Sequence, residues 1–219
     1  MRLALQYGAW AIGLWLNLRV ISALMRGSYR EYPFVFAYVL SLLASTVVEI
    51  GLQAAPQTVQ DGYYWIDEVV LDVLVFCLVV AFIRQAARDS KQTTIARYWL
   101  FPGAVAICAV LLAVHRGSRM SMNARMTLIS LYLNICWVIL DLALWSLLVT
   151  ARRPDRRLML LSGGLGLQLT GAVMGQVLRR RSHGLVFTGT LLEVTTGLLC
   201  LYIWWRALRT QPARARSLA

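Results

Sequence analysis

Apolar residues dominate seven stretches of the chain, 3–24, 33–53, 64–83, 98–114, 126–149, 158–178 and 185–205. Each is close to the roughly 20 residues a helix needs to cross a bilayer core of about 30 Å. The polar connections between them are short, so neighbouring helices are expected to run antiparallel. The pattern predicts an all-α, polytopic membrane protein: a seven-transmembrane-helix bundle over residues 1–205, followed by a short basic tail over 206–219. Pro33 and Pro102 fall in the first turns of the second and fourth segments, where a missing N–H costs nothing. Aromatic residues such as Tyr29, Tyr32, Trp65, Trp99 and Trp205 collect at predicted segment ends, the depth that amphipathic rings favour. The first segment is too long for the apolar core of a secretory signal and lacks a small-residue cleavage site, so it is read as the first helix.

Composition reinforces this reading. Hydrophobic residues make up 59% of the chain, above the roughly 45–50% of soluble proteins. That excludes a disordered chain, a disulfide framework and an ordinary cytosolic enzyme. A net charge of +12 would suggest a polyanion partner on a soluble protein. Sorting the charges by loop changes the meaning: with the N-terminus outside, 15 Lys and Arg fall on the cytoplasmic side and 7 on the other. The bias predicts N-terminus out and C-terminus in, with Arg179, Arg180 and Arg181 as the exception. Nucleic acid is therefore not an expected partner. The bilayer is, together with another membrane protein or a second copy of this chain.

An acid at the bilayer centre costs roughly 2.5–3.5 kcal/mol, so intramembrane carboxylates need partners, protons or a cavity. In the second segment Ser41, Ser45, Glu49 and Gln53 recur every fourth residue. In the third, Trp65, Glu68 and Asp72 share a face, and Asp67 points about 100° away from Glu68. The seventh carries Glu193 beside Thr196 and Gly197. Glu49, Glu68, Asp72 and Glu193 all belong to the outer half under the predicted orientation. They are the candidate proton, cation or ligand site, lining one chamber in which neighbouring acids share charge. The competing reading places them at the interface, bound to water and to Arg179–Arg181.

A second set, Asn17, Arg19, Asn134 and Asp141, is the candidate inner polar network. Arg19 and Asp141 fall at similar depth and are expected either to pair or to leave Arg19 snorkelling to the headgroups. Gly171 and Gly175 form a small-xxx-small pattern for close helix packing, with Gln168 able to hydrogen-bond across the contact.

Motifs for catalysis or cofactors are missing from the sequence. His115 and His183, the two histidines, lie at predicted helix ends, and neither a haem pair nor His-Glu-x-x-His occurs. Lys91 is the one lysine and lies in a loop, so a buried Schiff base has no amine. Cys77, Cys108, Cys136 and Cys200 fall inside spans without metal spacing and are read as packing residues. No cofactor or metal is expected.

Tyr32-Pro33 after Arg26 and Arg30, and Trp65-Ile66-Asp67-Glu68 opening the third segment, resemble a group of small uncharacterised bacterial seven-helix membrane proteins. The resemblance implies a location in the bacterial cytoplasmic (inner) membrane. The leading expectation is a non-enzymatic integral inner-membrane protein, sensor-like or an accessory subunit, responding to a small ligand or ion. A proton- or cation-coupled small-solute transporter is the second reading and a membrane lipid-modifying enzyme the third.

Overall fold

A computed structural model describes residues 2–87, 122–150, 155–181 and 183–209. Among these residues the secondary structure is helical throughout, with no strand. The long helices are α1 (Arg2–Ala23), α2 (Pro33–Leu52), α3 (Gln57–Ala87), α4 (Met122–Thr150), α5 (Arg156–Arg181) and α6 (Val186–Arg209). Among the described residues, four stretches are long and apolar enough to cross a membrane: Tyr7–Gly27, Pro33–Leu52, Arg156–Arg181 and Val186–Arg209. Helices suit such a chain because every backbone N–H finds its acceptor within the same segment, where lipid offers none. The predicted segment 98–114, with Lys91, Cys108 and His115, lies outside the described residues, as does the chain beyond Arg209.

Local chemistry accounts for the element ends. A π-turn at Leu24–Ser28 closes α1, and Gly27 within it takes φ of 133°, a conformation that suits only glycine at low cost. Tyr32, with φ −126° and ψ 62°, lies outside the helical region that a following proline disfavours, and Pro33 opens α2. The phenol of Tyr32 accepts a hydrogen bond from Gln85 Nε2 at 3.4 Å. Burial pushes its pKa up to about 12, so it stays neutral while tying the start of α2 to the end of α3. At the other terminus α6 continues past Trp205 to Arg209, with Arg206 and Arg209 in its last turn, where cations complement the helix dipole.

The helices close a ring in chain order, each packed on the next and α6 returning to α1. Ser45 meets Asp67 and Tyr32 meets Gln85, so α2 and α3 are antiparallel. Asp141 with Ser162, and Trp204 with Leu161, make α4–α5 and α5–α6 antiparallel too. By contrast, Ser130 near the start of α4 bonds Glu68 near the start of α3, and these two helices run the same way. The core is aliphatic, with Leu78, Leu144, Leu161 and Leu165 fully buried around Trp204. The Trp204 indole N–H donates to Leu161 O at 2.7 Å. It fits there because Gly164 leaves the slot empty: a Cβ at that position would lie 2.8 Å from the indole nitrogen.

Candidate functional site

Where α5 crosses α6, both helices present glycine. A Cβ on Gly175 would lie 2.7 Å from the Gly189 carbonyl oxygen, and a Cβ on Gly189 would lie 2.6 Å from that of Gly175. The two backbones therefore touch, which supplies dispersion contact where lipid removes any hydrophobic drive. One turn away, Gly171 faces Thr196, whose side chain fills the space another would need. This approach brings Arg179 to Glu193, and its Nη1 donates to Glu193 Oε2 at 2.5 Å. The pair is partly shielded, its side chains being 30% and 37% exposed.

Glu68 of α3 stands within electrostatic reach of both members of that pair, and Asp72 lies within reach of Glu68. Ser130 of α4 anchors Glu68 to the bundle. Its hydroxyl donates to Glu68 Oε1 and accepts from Asn134 Nδ2 at 3.4 Å and Gln176 Nε2 at 3.3 Å. One donor and two acceptor positions are all a serine hydroxyl has, so this buried hub is fully used. Gln176 Oε1 remains buried without a hydrogen-bond partner. Asp72, a turn further along α3, lies beside Trp137 of α4. The result is a polar cluster drawn from four helices.

Of the four acids grouped by the sequence, the fold gathers Glu68, Asp72 and Glu193. Glu49 is exposed and lies apart, on the α2 side, within electrostatic reach of Asp67. Ser45 Oγ donates to Asp67 Oδ2 at 2.6 Å across the α2–α3 seam. The cause is helical geometry: Asp67 and Glu68 diverge by about 100°, and α2 packs on the side of Asp67.

The inner set divides as well. Asp141, 3% exposed, accepts from Ser162 Oγ at 2.9 Å. Gly166 faces its carboxylate so closely that any side chain there would collide with it. Arg19 is exposed, with its guanidinium 5.0 Å from the ring centroid of Trp15. Of the two alternatives for Arg19, the pair with Asp141 is not the one formed, because equal depth does not put two residues on facing sides. Asn134 joins the Ser130 hub instead, and Asn17 lies in the wall of a separate groove. A double-mutant cycle of Arg19→Ala and Asp141→Ala is expected to be additive within about 0.5 kcal/mol in unfolding free energy. A larger coupling would mean the two side chains meet.

No protein family, curated protein or solved structure matches the chain.

Among the described residues no three His, Cys, Asp or Glu side chains converge closely enough to hold a metal ion. Gln176 was the member of the polar cluster hardest to find in the sequence. Its signal was an amide in an apolar run, next to a packing glycine. Arg179 was visible only as part of an arginine triplet, and the fold singles it out from Arg180 and Arg181, which are exposed.

Proposed function

We propose that this chain is a non-enzymatic integral inner-membrane protein, sensor-like or an accessory subunit, whose Glu68–Asp72–Glu193 cluster responds to protons at the outer end of a seven-helix bundle. One observation carries the reading. Three carboxylates gather where, among the described side chains, Arg179 pairs with Glu193 and stands within electrostatic reach of Glu68, while Asp72 has Glu68 for its charged neighbour. Full ionisation would leave surplus negative charge in a medium of low dielectric, and proton uptake removes it. The positive-inside bias supports N-terminus out and C-terminus in. Parallel α3 and α4 support the seventh span: Ala87 and Met122 lie at opposite ends of the bundle, the gap that segment 98–114 would close.

The test is thermal unfolding of the full chain in nanodiscs. Because protonation relieves repulsion among the acids, the midpoint is expected to rise by several degrees as the pH falls from about 8 to about 5. Glu68→Gln, which removes one negative charge while keeping an acceptor for Ser130, is expected to flatten that response. A midpoint that does not depend on pH, or an unchanged response in Glu68→Gln, would overturn the proposal. Proton flux in proteoliposomes that Glu68→Gln abolishes would replace it with the transporter reading.

A further inference from the structure

A groove of about 720 Å³ runs between α1, α2 and α6, separate from the acid cluster. On α6 its wall is the stripe from Val186 to Leu201, about 22 Å at the helical rise. The groove is therefore elongated along the helices, and its volume is that of a small-molecule site. Leu42, Phe187, Leu191, Val194 and Leu198 make most of its lining apolar. Two threonines in the wall contribute no free donor: Thr46 Oγ1 donates to Leu42 O at 2.8 Å and Thr190 Oγ1 to Val186 O at 3.0 Å.

Two features give the groove a chemistry. At its floor, Asn17 is 3% exposed and its Oδ1 has no hydrogen-bond partner. A buried amide oxygen without a donor costs about 1–3 kcal/mol, and a ligand that supplies the donor recovers it. At its mouth stands Glu49, the one ionisable residue among the described wall residues. Glu49 and Trp10 also line the adjoining groove, of about 400 Å³, between α1, α2 and α3, so the two side chains share one level. An exposed carboxylate beside an indole attracts a cation and repels an anion. Asn17 lies two turns beyond Trp10 on α1, about 10 Å deeper.

We infer that this groove binds an elongated lipophilic amine, with its ammonium between Glu49 and Trp10, its hydrocarbon body along α6, and a second hydrogen-bond donor about 10 Å away on Asn17. The carboxylate selects against fatty acids and anionic lipids, and the donor requirement selects against a plain alkylamine. The site does not depend on the proton response proposed above and shares no residue with that cluster.

The probe is ω-aminodecanol, titrated calorimetrically into the full chain in nanodiscs, with empty nanodiscs subtracted. It is expected to bind, with decylamine weaker and decanoate not competing. Glu49→Gln is expected to weaken it about tenfold or more, the size of a lost charge-assisted hydrogen bond. Asn17→Ala is expected to bring its affinity down to that of decylamine. Gly197→Leu provides an independent arm, because Gly197 lines the groove and a Cβ there meets nothing within 4 Å, so a larger side chain has open space in which to grow. It is expected to abolish binding while leaving the unfolding midpoint at or above the parent value. Equal binding of decanoate, unchanged affinity in Glu49→Gln, or retained binding in Gly197→Leu would reduce the groove to an ordinary lipid-facing seam and overturn the assignment.

Discussion

Gly175→Leu is expected to leave little folded protein, with a loss of more than about 3 kcal/mol and a polydisperse elution profile in detergent. Overpacking usually costs about 1–3 kcal/mol because flexible neighbours give way. Here the neighbour is backbone on both sides: the Gly189 carbonyl oxygen would lie 2.7 Å from the first added carbon, and Gly189 has no side chain to move. Even Gly175→Ala is expected to destabilise, although alanine gains about 1 kcal/mol over glycine in a helix interior. Gly197→Ala is the control, since its Cβ meets nothing, and it is expected to be neutral or stabilising by up to about 1 kcal/mol. Thermal unfolding of the three variants separates helix propensity from backbone contact. A Gly175→Leu protein as stable as the parent would mean that α5 and α6 do not cross at these glycines. Gly175→Ala is expected to disturb the proton response as well, because the crossing holds Arg179 against Glu193.

Arg179→Gln is expected to cost about 2–3 kcal/mol, and Glu193→Gln under about 1 kcal/mol. The asymmetry follows from charge. Removing the arginine leaves three carboxylates without their cation, whereas removing Glu193 frees the same arginine for Glu68, which already lies within its reach. Solvent moderates both values, since the pair is about one third exposed. The double variant Arg179→Gln with Glu193→Gln is expected to recover part of the arginine loss. Equal costs for the two single variants would show that the cluster carries no surplus negative charge, and the proton-responsive reading would fall with it.

Several of these arguments start from residues visible in the sequence. Gly171 and Gly175 stood at helical spacing in an apolar run, and close approach was their physical implication, although which helix they meet was not. Glu68 and Asp72 shared a face by period alone, and that face is turned into the bundle. Glu49 had the same depth and the same chemistry, yet it lies elsewhere, because depth constrains position along a helix and says nothing of which neighbour packs there. Arg19 and Asp141 illustrate the same point. Their levels agree, but Arg19 stacks on Trp15 at the exposed surface of α1 while Asp141 turns inward to Ser162.

Membrane compatibility and helical secondary structure were determined by the sequence itself, because a bilayer makes both a matter of local hydropathy and backbone hydrogen bonding. The identity of the few expensive polar residues was equally plain, since lipid penalises each of them individually. Their grouping was decided only by tertiary packing. Arg179 meets Glu193 and comes within reach of Glu68 because glycines let α5 and α6 touch, and Ser130 of α4 reaches Glu68 because α3 and α4 run in parallel. Asn17 faces a groove because α1 packs on α6 through Gly13, where a Cβ would lie 3.7 Å from Leu198. Rotation about each helix axis is set by contacts with residues far away in the chain, and no periodicity within a single segment carries that information.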